Sequence, residues 1–171
     1  QMMDVADMFS RNLGMENESF KRLKDKIHNR KPEENESPEL LPYKAALRSA
    51  EALSACRFMG IPKERVHFLN MPFYETGSVK KPLGDGDVDI IVKLLREIRP
   101  HQIYAAGDLA DPHGTHAVCL EAIMRAFDVV SGDEWFRDCY TWLYRGAWLE
   151  WEMEKVDMAV PVSPSELTIK R

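Results

Sequence analysis

Gln102-Ile-Tyr-Ala-Ala106, followed by Gly107-Asp-Leu-Ala-Asp-Pro-His-Gly-Thr-His116, is the stretch on which the fold turns. The first segment is a short apolar run between Pro100 and Gly107, which reads as a strand. The second is built of turn formers and polar groups, and a helix is expected beyond it over about 116–128, with Leu120, Ile123, Met124 and Phe127 on one face. A turn at the carboxyl end of a strand in an α/β sheet is where ligands usually bind. This turn carries two carboxylates, Asp108 and Asp111, and two imidazoles, His113 and His116. Such a set serves metal and proton chemistry, or it is a polar loop in which Asp108 or Asp111 orders the turn by side-chain hydrogen bonds.

Spacing alone leaves both readings open. Neutral imidazole is the commonest metal ligand, and a catalytic zinc takes three protein ligands and an open position. His113 and His116 are three apart, so near a helix start both can face one crevice. One imidazole could bind metal while the other moves a proton or steadies charge. Asp111, the nearer carboxylate, could orient an imidazole from behind.

Upstream of the central strand, Asp87 is expected to cap a helix with Val88, Ile91, Leu94, Leu95 and Ile98 apolar and Pro100 past its end. Before it, Val66-His-Phe-Leu-Asn-Met71 reads as a strand, and Pro72 to Gly86 as a long loop holding Tyr74, Glu75, Lys80 and Lys81. The two lysines could meet a phosphate or simply be solvated. A helix over 42–59 has Tyr43, Ala46, Leu47, Ala50 and Leu53 as its apolar face and Gly60 as its stop. On it Arg48 and Glu51 lie three apart, which suits a surface ion pair. Further helices are expected over 2–13 and 17–29, with a charged, proline-bearing linker over 30–38. Downstream, strands are expected over 139–144 and 156–160. Trp142, Tyr144, Trp148 and Trp151 form an aromatic segment suited to core, to a subunit contact or to stacking on a sugar. Ser163-Pro-Ser-Glu166 has the pattern of a helix start. Strands alternating with helices imply an α/β fold with a mostly parallel sheet.

A chain of 171 residues is one domain by size, and 44% apolar with 30% charged residues is ordinary globular composition. A net charge of -5 argues against nucleic acid as a partner. No apolar run approaches the roughly 20 residues of a membrane span. The three cysteines, Cys56, Cys119 and Cys139, are scattered and odd in number, so they read as buried thiols of a reducing, cytoplasmic setting. Gln1 opens inside an expected helix with neither cap nor leader, and the last expected helix stops almost where it starts. The expectation is one domain over 1–171, truncated at both ends.

Three further stretches stand beside the central one: Arg48-x-x-Glu51 with Ala55 and Gly60, Phe68-Leu-Asn-Met-Pro-Phe-Tyr-Glu-Thr-Gly77, and Trp142-Leu-Tyr-Arg-Gly-Ala-Trp148. Together with Pro100 to His116 they resemble the PIG-L/LmbE-like family of zinc-dependent N-deacetylases, in the version fused to glucosamine-6-phosphate deaminase-like proteins. The resemblance covers about 35–165. It implies a Rossmann-like three-layer, mostly parallel sheet with helices on both faces, and hydrolysis of the N-acetyl group of an amino-sugar substrate. It makes His116 a zinc ligand and His113 the oxyanion stabiliser or general acid. The family's aspartate between those histidines is Thr115 here, and Asp111 could stand in for it. Apart from the resemblance, Phe73 to Gly77, with Tyr74 and Glu75, follows the expected strand 66–71 and is expected to form part of the substrate wall, because ligands bind at the carboxyl ends of strands in an α/β sheet; Arg48 is a further substrate-binding candidate.

One departure is large. The family opens with a strand and a His-Pro-Asp-Asp type motif that supplies two zinc ligands and the catalytic base, and no His-Pro-Asp occurs in these residues. The resemblance therefore implies a domain with its first strand missing, zinc bound in the intact parent domain, and no tight zinc or turnover in this chain alone. Sheet edges left without that strand would template association, so a homo-oligomer is expected. The rival reading is a non-catalytic regulatory or assembly module of the same fold, with 142–151 as its interface.

Overall fold

The computed structural model describes residues 21, 22, 25, 28, 29, 41–74, 81–107, 110, 112, 114–145 and 150–170. The chain falls into two compact units, Gln1–Pro82 and Leu83–Arg171.

In the first unit, Lys21, Arg22, Asp25 and His28 are helical, as expected for 17–29. The first long helix, α1, spans Leu41–Phe58. It ends as its sequence dictates. Gly60 takes a left-handed φ of 76°, its N–H donates to the Arg57 carbonyl at 3.0 Å, and the Ile61 N–H donates to the Cys56 carbonyl at 2.8 Å. That pair of bonds is the Schellman closure, which satisfies carbonyls the helix end would leave bare. Leu47 and Leu53 are half-buried, but Ala46 and Ala50, expected on the apolar face, are exposed.

The expected strand over 66–71 does not form; the segment is irregular apart from extended backbone at Val66. A strand needs a partner to receive its backbone groups, and among the described residues none pairs with it. Asn70 breaks the extended path with a φ of 46°. A short 3-10 helix, Pro72–Tyr74, follows and buries Phe73. The expected helix over 2–13 and linker over 30–38 lie outside the described residues.

The second unit holds helix α2 (Asp85–Ile98), strand β1 (Gln102–Ala106), helix α3 (Thr115–Val130), strand β2 (Tyr140–Tyr144) and helix α4 (Pro164–Lys170). Gly84, not Asp87, is the N-cap of α2. Asp87 sits three positions further in, buried, and its Oδ2 accepts from the Gly84 N–H at 3.0 Å. A glycine cap has no side chain to return the bond, so this is the carboxylate half of a capping box. Val88, Ile91, Val92 and Leu95 form the buried stripe of α2; Leu94 is half-buried and Ile98 exposed. Arg99 stops the helix in the left-handed region, its N–H donating to the Leu95 carbonyl at 2.8 Å.

β1 lies where the sequence puts it and pairs parallel with β2, Gln102 opposite Tyr140 and Ala106 opposite Tyr144. α3 packs against α2 and β1. Its buried residues are Ala122, Ala126, Phe127 and Val130. Of the expected face only Phe127 is fully buried; Leu120 and Ile123 are half-buried and Met124 is exposed. Two of these residues, Ala122 and Ala126, have no exposed surface at all. Phe127 also meets Phe136, their ring centroids 5.2 Å apart. Each fully buried aliphatic or Phe side chain contributes about 1.5–3 kcal/mol by transfer from water.

The second expected strand, 156–160, is also absent. Residues 153–155 form a 3-10 turn and Val156, Met158 and Val160 are exposed, so no apolar face is gained there by pairing. The capping pattern at 163–166 forms as read: the Glu166 N–H donates to Ser163 Oγ at 3.3 Å, and the Ser163 N–H donates to Glu166 Oε2 at 2.6 Å. Hydrogen bonds from the Ser163 side chain and then from its backbone N–H hold the Glu166 carboxyl below its ordinary range. The three cysteines are half-buried thiols, and burial pushes Cys139 up. Among the described residues no helix is long and apolar enough to cross a membrane.

Candidate functional site

The carboxyl ends of β1 and β2 are tied together before the histidine loop begins. The Gly107 N–H extends the ladder by donating to the Tyr144 carbonyl at 2.8 Å. The Gly107 carbonyl accepts from Nε of Arg145 at 3.1 Å. Arg145 Nη1 donates to the Glu150 carbonyl at 3.4 Å, and the guanidinium lies 3.6 Å over the Trp151 ring. Trp151 Nε1 in turn donates to the Leu143 carbonyl at 3.1 Å. Gly107 is buried in this knot. A Cβ there would sit 2.9 Å from Leu143 Cβ and 3.2 Å from Trp151 Cζ2, so only glycine fits without a backbone shift.

The loop re-enters described structure at Gly114, whose φ of 64° makes the left-handed bend that starts α3. His116 is the second residue of that helix, half-buried, with Nδ1 shielded from solvent. This is the placement the sequence predicts: an imidazole in a helix's first turn, just past the end of a parallel strand. Asp108, Asp111 and His113 lie outside the described residues, as does Glu75.

The first unit holds the other described candidates. Arg48 Nη1 pairs with Glu51 Oε2 at 2.9 Å, and the arginine side chain is 82% exposed, the surface ion pair that the spacing suggests. Tyr74 closes the 3-10 turn, exposed, its ring 6.0 Å from that of Phe73. Of the candidate site residues, then, Arg48 and Tyr74 belong to the first unit and His116 to the second.

Zinc needs at least three converging donors. Among the described residues no three His, Cys, Asp or Glu side chains gather in that way, so these residues by themselves do not fit the metal. His116 is one donor of the right kind.

A cleft of about 490 Å³, lined by Arg96, Arg99, Asp133, Glu134 and Trp135, lies elsewhere. Arg99 precedes β1 and Trp135 precedes β2, so the cleft is at the amino end of the parallel pair, away from the loop. Its charges answer one another. Arg96 Nε and Nη2 donate to the two Asp133 oxygens at 2.9 and 3.2 Å, and Trp135 Nε1 donates to Oδ2 at 3.2 Å. The Arg96 hydrogen bonds hold the Asp133 carboxyl below its ordinary range and raise the guanidinium. This cleft reads as a structural fork that joins the end of α2 to the turn before β2.

The sequence gives Gly107 and Arg145 no role of their own at the site, and Trp151 only a place in the aromatic segment suited to core, a subunit contact or sugar stacking. A glycine directly after one strand and an arginine directly after its neighbour are the local signal. Their meeting depends on the parallel register, which composition does not display.

The fold is that of an α/β protein with a parallel strand pair, and the helix that follows its first strand carries an imidazole in its first turn. The chain belongs to the PIG-L family: residues 11–127 match the family model described as GlcNAc-PI de-N-acetylase. It is also 48% identical, over 157 residues, to a glucosamine-6-phosphate deaminase-like protein of Bacteroides thetaiotaomicron. That match takes in 90% of this chain and 24% of the relative, so the chain spans about a quarter of the relative's length. No solved structure matches.

Proposed function

We propose that residues 1–171 are one PIG-L-type domain that takes part in metal-dependent hydrolysis of an N-acetylated amino sugar in amino-sugar metabolism. The observation that carries the reading is His116, a half-buried imidazole in the first turn of α3, just past the strand end fixed by Gly107. The family match crosses the boundary between the two compact units, which supports one domain. The parallel pair with α3 packed on it is compatible with a Rossmann-like three-layer sheet.

In the reaction, water adds to the acetamide carbonyl, the C–N bond breaks, and acetate and a free amine leave. His113 steadies the developing oxyanion or protonates the departing nitrogen. Asp111 orients that imidazole. Arg48, Tyr74 and Glu75 are assigned to substrate binding. His116 is assigned as a zinc ligand of the intact protein; among the described residues no three His, Cys, Asp or Glu side chains gather to hold the metal. The protein is assigned to the cytoplasm and to a homo-oligomer. The rest of a longer protein, including any deaminase chemistry, lies beyond this domain.

The test is acetate release by the full-length protein, supplied with zinc, from N-acetylglucosamine and from its 6-phosphate. Wild type is expected to release acetate from at least one of them, and His116→Ala to lower that rate by about a hundredfold or more. No acetate above the enzyme-free blank from either sugar sinks the proposal.

A second reading, a non-catalytic assembly module, draws on the exposed aromatic rings of the strand pair, Tyr104, Tyr140 and Tyr144. It predicts a stable oligomer that Tyr140→Ser and Tyr144→Ser dissociate, with no acetate released.

A further inference from the structure

We infer that Arg145 is a positioning residue for the histidine loop, acting through the carbonyl of Gly107; the inference rests on the proposed function for its effect on turnover. Gly107 is the last described backbone before the loop residues 108 and 109, and both its backbone groups are committed. Its N–H belongs to the ladder with Tyr144, and its carbonyl is held by the Arg145 guanidinium at 3.1 Å. The same guanidinium reaches the Glu150 carbonyl and sits over the Trp151 ring, whose indole N–H donates to the Leu143 carbonyl. One side chain thereby ties the exit of β1, the exit of β2 and the segment at 150–151.

The chemistry calls for arginine. A planar fork can donate in two directions while stacking on an indole; lysine offers a point charge on a flexible stem and does neither well. The link also matters for the loop. His116 stands at the loop's far end in α3, and its near end is the carbonyl that Arg145 holds. Misplacing a reacting group by about 1 Å can cost on the order of a hundredfold in rate. Arg145 acts through the Gly107 carbonyl and sets where the loop begins.

The experiment uses the full-length protein with Arg145→Lys, and Trp151→Leu as a second variant that keeps the arginine but removes its platform. Amide hydrogen exchange is followed by mass spectrometry, alongside acetate release. In both variants exchange over 107–116 is expected to rise about tenfold while exchange over 88–98 in α2 stays within twofold. For Arg145→Lys, kcat falls about ten- to a hundredfold with KM within about threefold. In an Arg145→Ala protein, millimolar methylguanidinium restores part of the protection over 107–116. Exchange over 107–116 that is unchanged, or that rises equally over 88–98, overturns the inference, as does a KM effect without a kcat effect. The exchange result is read without turnover. A wild type that releases no acetate therefore defeats the proposed hydrolysis and leaves the clamp to be judged on its own.

Discussion

Gly107 is the residue at which the end of β1 meets Leu143 of β2 and the Trp151 ring. With Leu143 Cβ only 2.9 Å from where a methyl would stand, Gly107→Ala cannot be absorbed by turning a flexible side chain. The backbone of β1 or β2 must move, and overpacking of this kind costs about 1–3 kcal/mol. Urea unfolding should show a lower midpoint with an unchanged slope. A midpoint equal to wild type would mean that the strand ends are looser than the geometry indicates. Asp133 gives a prediction in pH. Its folded carboxyl is depressed chiefly by the Arg96 hydrogen bonds. The pair's stabilisation is therefore whole above the unfolded aspartate value of about 3.9 and is lost as pH falls through the lower folded value. The drop in melting temperature between pH 5 and pH 2 should be smaller in Asp133→Asn than in wild type, and the two should run parallel above pH 5. Parallel curves over the acid range as well would contradict the linkage.

At the scale of the elements, the decisive packing is α3 against α2 and β1. Ala122 and Ala126 have no exposed surface. Ala126→Leu should lower stability by about 1–3 kcal/mol through overpacking. Met124→Ala, on the exposed side, should change it by less than about 1 kcal/mol. Chemical denaturation of the two variants checks the order, and a reversed order would mean that α3 is rotated about its axis. That buried face was not legible in the sequence, where Leu120, Ile123, Met124 and Phe127 outweigh the alanines in any count of large apolar groups. What burial selects is fit to a close neighbour. Local signals did carry through. β1 between Pro100 and Gly107, the Gly60 closure of α1 and the Ser163–Glu166 capping box all depend on residues within one turn of each other. Pairing is not local. The segments 66–71 and 156–160 have strand-like residues and no ladder, because a strand is completed by a partner that its own residues do not name. The site divides the same way. The place of His116 in the first turn of α3 was legible from its spacing behind a strand, whereas the Arg145–Gly107 bond joins residues 38 apart in the chain.

At the scale of the whole molecule, the family places the chain among PIG-L domains, and its match to a relative spans 24% of that protein. The central claim is the division of labour between two imidazoles, His116 as metal ligand and His113 as the group that moves a proton or steadies charge. Zinc content and acetate release, measured together on the full-length protein, test it most directly. The account predicts that His116→Ala loses most of its zinc and its turnover, while His113→Ala keeps zinc within about twofold of wild type and loses about a hundredfold in kcat. A His116→Ala protein that retains full zinc and full turnover would contradict it.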